Sequence, residues 1–521
     1  MAADLPPLPP DPTPPPAIIA PAPAEVTPIV VEENNGYRYV ITGNTLLSPE
    51  AVEAAVRTGA TPKEAGEALN KAYQAAGYVL VFVGGNVNGK LVALQVVEGR
   101  ISEQDMPPDL VPYFAGIVGR DDLTRNQLLR AAAMVEFYDG RQGLRPKAGF
   151  SPAQDMGGTK LTVTQEDIEG AKPYNVGLAF GNLGSRYSSR YTGSGNVALR
   201  PGGGLELTAA YTQGIPGLTA DSAASSYKAA VLGASLVTPL GYFGLTYSDT
   251  RYRIGEITFP LYPAGEIETG GITANQLVFA DESSRFTVTE SLMHFNNKQD
   301  VYDGLNTITD QSYGVASVGV VYNRSFAMFE QNASINANAT LYKGLSAAKG
   351  SLLPEGPGVP DPRFALIQAN VTVTSGLPWG FTTGASLNGQ YTNATLPQNQ
   401  QWVMGGLGNL SAWLPAVTVG DIGLLGRASL SAPAYRWSEF SFNGALFVEA
   451  GVTRLNEPPI LEPWAKGLGD VGISISGSTA TGTSLTLAFA QPVWYWHISE
   501  TARESVNRAR ANLYFSVNQS F

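Results

Sequence analysis

Residues 509–521 alternate strictly. The odd positions read Ala509, Ala511, Leu513, Phe515, Val517, Gln519 and Phe521; the even ones read Arg510, Asn512, Tyr514, Ser516, Asn518 and Ser520. One face is nearly all apolar and the other polar, at the period of a β-strand. Two such different faces need two different media. In a soluble sandwich the apolar face meets a core; in a membrane barrel it meets hydrocarbon while the polar face lines a wet lumen.

Composition favours the second solution. Charged residues make up 15% of the 521 residues, glycine is abundant at 58, and mean hydropathy is −0.03. Soluble domains carry about 25% charge. Low charge with average hydropathy fits a barrel whose lipid-facing side chains are diluted by luminal Gly, Ser, Thr and Asn. No run of about 18 apolar residues offers a spanning helix. The absence of cysteine excludes a disulfide framework, a Cys-ligated metal and a Cys nucleophile. A net charge of −11 argues against nucleic acid as a partner. No cationic segment followed by an apolar one opens the sequence, so an exported chain would be numbered here from after its signal peptide.

The chain changes character along its length. Residues 1–35 form a Pro-rich arm, with eleven prolines between Pro6 and Pro28, expected to be extended and solvated. Residues 36–100 read β-α-α-β-β. Tyr37–Ile41 is a strand; Ser48 before Pro49, and Thr61 before Pro62 and Glu64, cap two helices; Val79–Val83 and Leu91–Val97 are strands. Residues 101–168 repeat the order more weakly, with a capping box of Thr124 and Gln127. From 169 to 521 helical periodicity gives way to sixteen alternating segments, from 173–182 through 420–432, 441–452, 468–478 and 482–493 to 509–521. An even number of antiparallel strands closes on itself and leaves no edge in lipid. Trp379, Trp437, Trp494 and Trp496 fall near strand ends, as interfacial girdles do. The fold expected is thus an all-β transmembrane barrel of about 16 antiparallel strands behind two small α+β domains.

This order resembles the transporters of two-partner secretion, a family within the superfamily of POTRA-bearing outer-membrane barrels. Ile41-Thr42-Gly43-Asn44-Thr45 resembles the opening of a first POTRA domain, and Leu161-Thr162-Val163 the close of a second. Gly405-Gly406 followed by Asn409, Leu410, Ser411, Ala412 and Trp413 resembles the tip of the family's inward-folded loop, here about 393–419; Phe447, Glu449 and Gly451 resemble its Phe-x-Asp-x-Gly strand motif. Tyr514, Phe515 and Phe521 resemble the C-terminal signal read by the barrel-assembly machinery.

In the family a loop Arg pairs with the strand carboxylate. Here Ser411 stands at that position, and no Lys or Arg occurs between Arg363 and Arg427. Glu449, luminal by parity, therefore lacks its usual partner. Ser411 offers one hydrogen bond at most, and Arg427, luminal on the preceding strand, is a candidate partner. The loop is then either held by packing of Trp413 or looser than in the family. The proline arm also cannot form the helix with which the family plugs its barrel.

The resemblance implies an outer-membrane transporter with its POTRA-like domains in the periplasm. It would capture a TpsA-like secreted exoprotein and pass it unfolded through the barrel. Its other partners would be membrane lipid and the assembly machinery, its state monomeric, with no cofactor, metal or enzymatic activity. The capture edge is expected at Val79, Val81 and Val83 or at Leu91, Leu94 and Val97, where unpaired backbone groups would accept a strand. The alternatives are an insertase of the same superfamily and a passive porin with periplasmic binding modules.

Overall fold

The computed structural model describes residues 27–155, 157–185, 189–218, 225–255, 258, 260–302, 304–345, 360–458, 465–498 and 500–521. Most of the proline arm lies outside them. The chain divides into two units, with the main boundary between Ala171 and Lys172.

The first unit opens with two strands, β1 (Ile29–Asn34) and β2 (Tyr37–Thr42), then α1 (Pro49–Thr58), α2 (Pro62–Ala75), β3 (Val81–Asn88) and β4 (Leu91–Glu98). The sheet order is β1-β2-β4-β3. Strand β1 was not anticipated and takes residues 29–34 out of the arm. Asn35 and Gly36, both at positive φ, make the tight turn that returns β1 along β2, and Val31 enters the core beside Tyr39 and Ile41. Both helices start at the expected caps: Ser48 Oγ accepts from Ala51 N at 3.3 Å and Thr61 Oγ1 from Glu64 N at 3.3 Å. Their apolar stripes, Val52, Val56, Ala65, Leu69 and Tyr73, cover one face of the sheet.

The expected edge needs correcting. Strand β4 pairs in parallel with β2 and antiparallel with β3, so Leu91, Leu94 and Val97 lie in the middle of the sheet. Val81 and Val83 lie on β3, an outer strand, and Val79 precedes it. The second α+β element comprises β5 (Arg100–Asp105), α3 (Val111–Phe114), α4 (Arg125–Arg141), β6 (Leu144–Pro152) and β7 (Gly158–Asp167), with sheet order β5-β7-β6. The Thr124–Gln127 capping box is complete.

The second unit is a closed antiparallel barrel. Its staves begin with β8 (Tyr174–Gly181), β9 (Thr192–Gly202), β10 (Leu205–Gly214), β11 (Ser226–Thr238), β12 (Gly241–Arg253), β13 (Ala264–Ala280) and β14 (Ser284–Val301). They continue with β15 (Asn306–Met328), β16 (Gln331–Gly344), β17 (Ala365–Gly376) and β18 (Thr382–Thr392). A short hairpin, β19 (Trp402–Met404) with β20 (Thr418–Gly420), stands apart from the wall. The wall resumes with β21 (Ile422–Ser431), β22 (Tyr435–Trp437), β23 (Phe440–Arg454), β24 (Ala465–Thr479) and β25 (Thr483–Trp496); α5 (Glu500–Arg508) then leads to β26 (Tyr514–Ser520), which pairs with β8 and closes the ring. Because β21 and β22 both pair with β23, at different levels, they count as one interrupted stave, and the barrel has sixteen.

Parity sorts the wall. Leu446, Val448, Ile473, Leu487 and Val517 point outward and are exposed, as a lipid-facing belt requires. The last stave is shorter than the alternation indicated. Residues 500–508 are helical, and Ala509 and Ala511, expected on the lipid face, are buried. No described helix is long and apolar enough to cross a membrane.

Candidate functional site

The register of three staves builds the site. Arg427 on β21 stands opposite Glu449 on β23, and Glu449 opposite Asp470 on β24. All three have luminal parity, so one guanidinium and two carboxylates form a row across the inner wall. Arg427 Nη1 pairs with Glu449 Oε1, and its guanidinium lies 4.6 Å from the centre of the Phe447 ring. Glu449 and Asp470 are buried. Buried carboxylates are tolerated only when their oxygens are hydrogen-bonded and their charge is balanced.

The inner loop supplies one bond to each carboxylate, and Asp470 Oδ1 is left without a partner among the described residues. Ser411 N donates to Glu449 Oε2 at 2.6 Å and Ala412 N to Asp470 Oδ2 at 2.7 Å. Backbone amides thus anchor the tip, and the cation sits on the wall. The Ser411 hydroxyl, expected to donate, instead accepts from Gly408 N at 2.9 Å, inside the loop.

The tip is a compact knot. Gly405 N donates to Asn409 O at 2.8 Å, Gly406 N to Trp413 O at 2.8 Å, and Asn409 Nδ2 to Val403 O at 3.0 Å. Gly405 has φ +105°, and a Cβ there would lie 2.3 Å from Leu414 O, so the position requires glycine. Leu410, Ala412 and Trp413 are buried against Met404, Leu425, Phe447, Leu468 and Ala490. Gly451 makes room for this packing: a Cβ on it would lie 2.6 Å from Met404 Sδ. The Phe-x-Glu-x-Gly spacing therefore has a physical reading. Phe447 seats the guanidinium, Glu449 receives the tip, and Gly451 admits the loop.

Two further contacts were not read from the sequence. At the base, buried Asp421 accepts from Leu396 N at 2.8 Å, joining the loop's two ends, and from Asn456 N, just after β23, at 2.9 Å. At the tip, Leu414 N donates to Ala509 O at 2.8 Å and Ala511 N to Ala412 O at 2.9 Å. Tyr514 Oη donates to Trp413 O at 2.5 Å, and the Trp413 ring meets Tyr495 edge-on. The segment before the last stave thus lies alongside the inner loop as a short ladder. The signal for Asp470 was available: it is the single carboxylate of an otherwise Gly-, Ser- and Ile-rich stave, at luminal parity.

Of the C-terminal aromatics, Tyr514 points inward to the tip. Phe515 packs 5.7 Å from Phe180 and 6.1 Å from Tyr191, and Phe521 is exposed beyond β26.

A sixteen-stave closed barrel with an inward loop tied to luminal carboxylates, following two small α+β elements compatible with POTRA domains, is the fold of a transmembrane β-barrel protein. The sequence profile of the Haemolysin secretion/activation protein ShlB/FhaC/HecB family matches residues 157–463, more than half of the chain. The chain belongs to that family and is a two-partner secretion outer-membrane transporter. Among solved structures it is similar to CdiB from Escherichia coli, at 16% identity and TM-score 0.76, covering 96% of this chain and 93% of that one. It is also similar to CdiB from Acinetobacter baumannii, at 13% identity and TM-score 0.70, covering 96% and 91%. At these identities the likeness establishes the fold. No curated protein sequence is significantly similar to it.

Proposed function

We propose that the protein captures a TpsA-like secreted exoprotein in the periplasm through its two POTRA-like units and conducts it, unfolded, through the barrel to the cell surface. The observation that carries this reading is the inner loop. Its tip is buried in the lumen, yet two backbone amides on two carboxylates and a short ladder fix it there. Such bonds hold a plug in place and can be exchanged for water when it leaves. A passive porin needs no such tip.

Capture would use strand addition at an outer strand of the first sheet, on β3 at Val81 and Val83, since β4 already has two neighbours. Phe515 and Phe521 would present the assembly signal on the outer side of the last stave, while Tyr514 serves the plug. The barrel would act as a monomer.

The test is secretion of a TpsA-like exoprotein taken from the same genome, in cells carrying the wild type or a variant lacking residues 36–166. The reading expects the shortened barrel to reach the outer membrane and the exoprotein to stay inside. Undiminished secretion would refute capture by these units.

A further inference from the structure

The inner wall is uneven in its chemistry. On β16, β17 and β18 the outward positions hold Leu341, Ile367, Val371 and Leu387, all exposed. The alternate, luminal positions hold seven amides: Asn332, Asn336 and Asn338, Gln368 and Asn370, Asn388 and Gln390. Register sets them in rows, Asn338 beside Asn370 beside Asn388, and Gln368 beside Gln390. The single charged residue of these staves, Lys343, has the outward parity of Leu341. The contrast is with β21, β23 and β24, where the charged row lies.

One of these amides already holds a peptide. Gln390 Nε2 donates to Gln400 O of the inserted loop at 3.1 Å and to Asp421 O at the loop's base at 2.9 Å, while its Oε1 accepts from Gln368 at 2.7 Å. Further along the wall Asn370 Nδ2 donates to Asn388 Oδ1, and among the described residues no loop backbone is bonded to Asn338, Asn370 or Asn388. Each primary amide carries two donors and a two-lone-pair acceptor. The Asn370–Asn388 bond uses one donor and one acceptor and leaves the rest facing the lumen.

We propose that the amide rows of β16–β18 are the track along which the transported polypeptide runs, with extended backbone bonding to Asn338, Asn370 and Asn388 as the loop backbone does to Gln390. The inference rests on the protein-conducting reading and adds the wall and the substrate chemistry. An extended chain exposes one N–H and one C=O per residue, and a side-chain amide matches both without net charge. Hydrogen bonds of this kind are worth about 1 kcal/mol net, enough to guide a chain and weak enough to exchange at each step. A charged wall would instead hold oppositely charged residues and repel like ones. The track therefore suits uncharged, Gly-, Ser- and Asn-rich extended segments.

The test uses the full-length protein in planar bilayers, with Glu449→Gln and Asp470→Asn introduced to release the plug. The probe is a synthetic 30-residue Gly-Asn-Ser repeat peptide, and the readout is the mean duration of its current blockades. Asn338→Leu, Asn370→Leu and Asn388→Leu together are expected to shorten blockades about ten-fold, the equivalent of about 1.4 kcal/mol. Thr208→Val, Thr246→Val and Thr486→Val, luminal hydroxyls of β10, β12 and β25, are expected to change them by less than about two-fold. Equal effects of the two triples, or none from the first, would overturn the track while leaving protein conduction standing. Blockades absent from every variant would overturn conduction and the track together. If the asparagine triple fails to assemble, judged by loss of heat-modifiable gel mobility, Asn370→Leu alone is measured against Thr246→Val, with the same two outcomes.

Discussion

Arg427 is the one cation among the described residues paired with Glu449, the first of the two wall carboxylates that hold the tip. Removing one partner of a buried ion pair costs about 3–5 kcal/mol, because the remaining charge is left uncompensated. Arg427→Gln is therefore expected to loosen the tip and raise the open probability of single channels, while the barrel still assembles. Ser411→Arg added to Arg427→Gln returns a cation to the loop, where the family resemblance places it, and should restore much of the closure. If the double variant is as open as the single, charge balance is not what holds the tip.

A second buried carboxylate tunes the α+β region. Asp139 on α4 is fully buried, with one hydrogen bond, from Gln165 Nε2 at 2.7 Å. Burial pushes its carboxyl up from 3.8 to about 6, opposed by the Gln165 bond and reinforced by the Asp109 charge. A raised folded-state value means the folded state holds the proton more tightly than the unfolded one between those two pH values. Stability gained from this group is thus present at about pH 4 and lost as pH rises through about 6. Hydrogen exchange of α4 amides, corrected for intrinsic rates, should show stronger protection at pH 5 than at pH 7.5. Asp139→Asn should flatten that difference; an unchanged slope would assign it to another group.

The loop and the segment before the last stave act together. Leu414 and Ala511 exchange backbone bonds with Ala509 and Ala412, so the tip cannot leave without parting from the C-terminal segment. Ala511→Pro removes the amide that donates to Ala412 O and leaves β26 intact. The loss of about 1–3 kcal/mol should appear as more frequent channel opening at unchanged heat-modifiable mobility. Strand β1 makes a comparable contribution in the first unit. Val31 is 1% exposed there, and Val31→Ala should lower stability by about 2 kcal/mol, visible as faster hydrogen exchange in β1 and β2.

Across the molecule, what could be read from the sequence was whatever depends on local periodicity. Alternation with turn residues outlined sixteen staves, and the caps at Ser48, Thr61 and Thr124 placed the helices. Parity put Phe447, Glu449 and Gly451 in the lumen because one-residue steps change face. What depends on register or on distant pairing was harder to read. That Arg427 faces Glu449 follows from the stagger between staves, which no local pattern encodes. The interior place of β4 follows from its parallel pairing with β2, across two helices. Ala509 and Ala511 kept the strand rhythm but are small enough to pack under the loop, so the alternation ran past the true start of β26. The β1 hairpin did leave a signal, Asn35-Gly36 between β-branched residues, in a stretch dominated by the adjoining prolines.

The account as a whole requires that the lumen be closed by the tip and opened when its two anchors are removed. Single-channel recording of the full-length protein measures this directly. The wild type should be closed for most of the record, with brief openings, and Glu449→Gln with Asp470→Asn should convert it to a long-lived open pore. Records of the two proteins that cannot be told apart, at equal assembly into the bilayer, would contradict it.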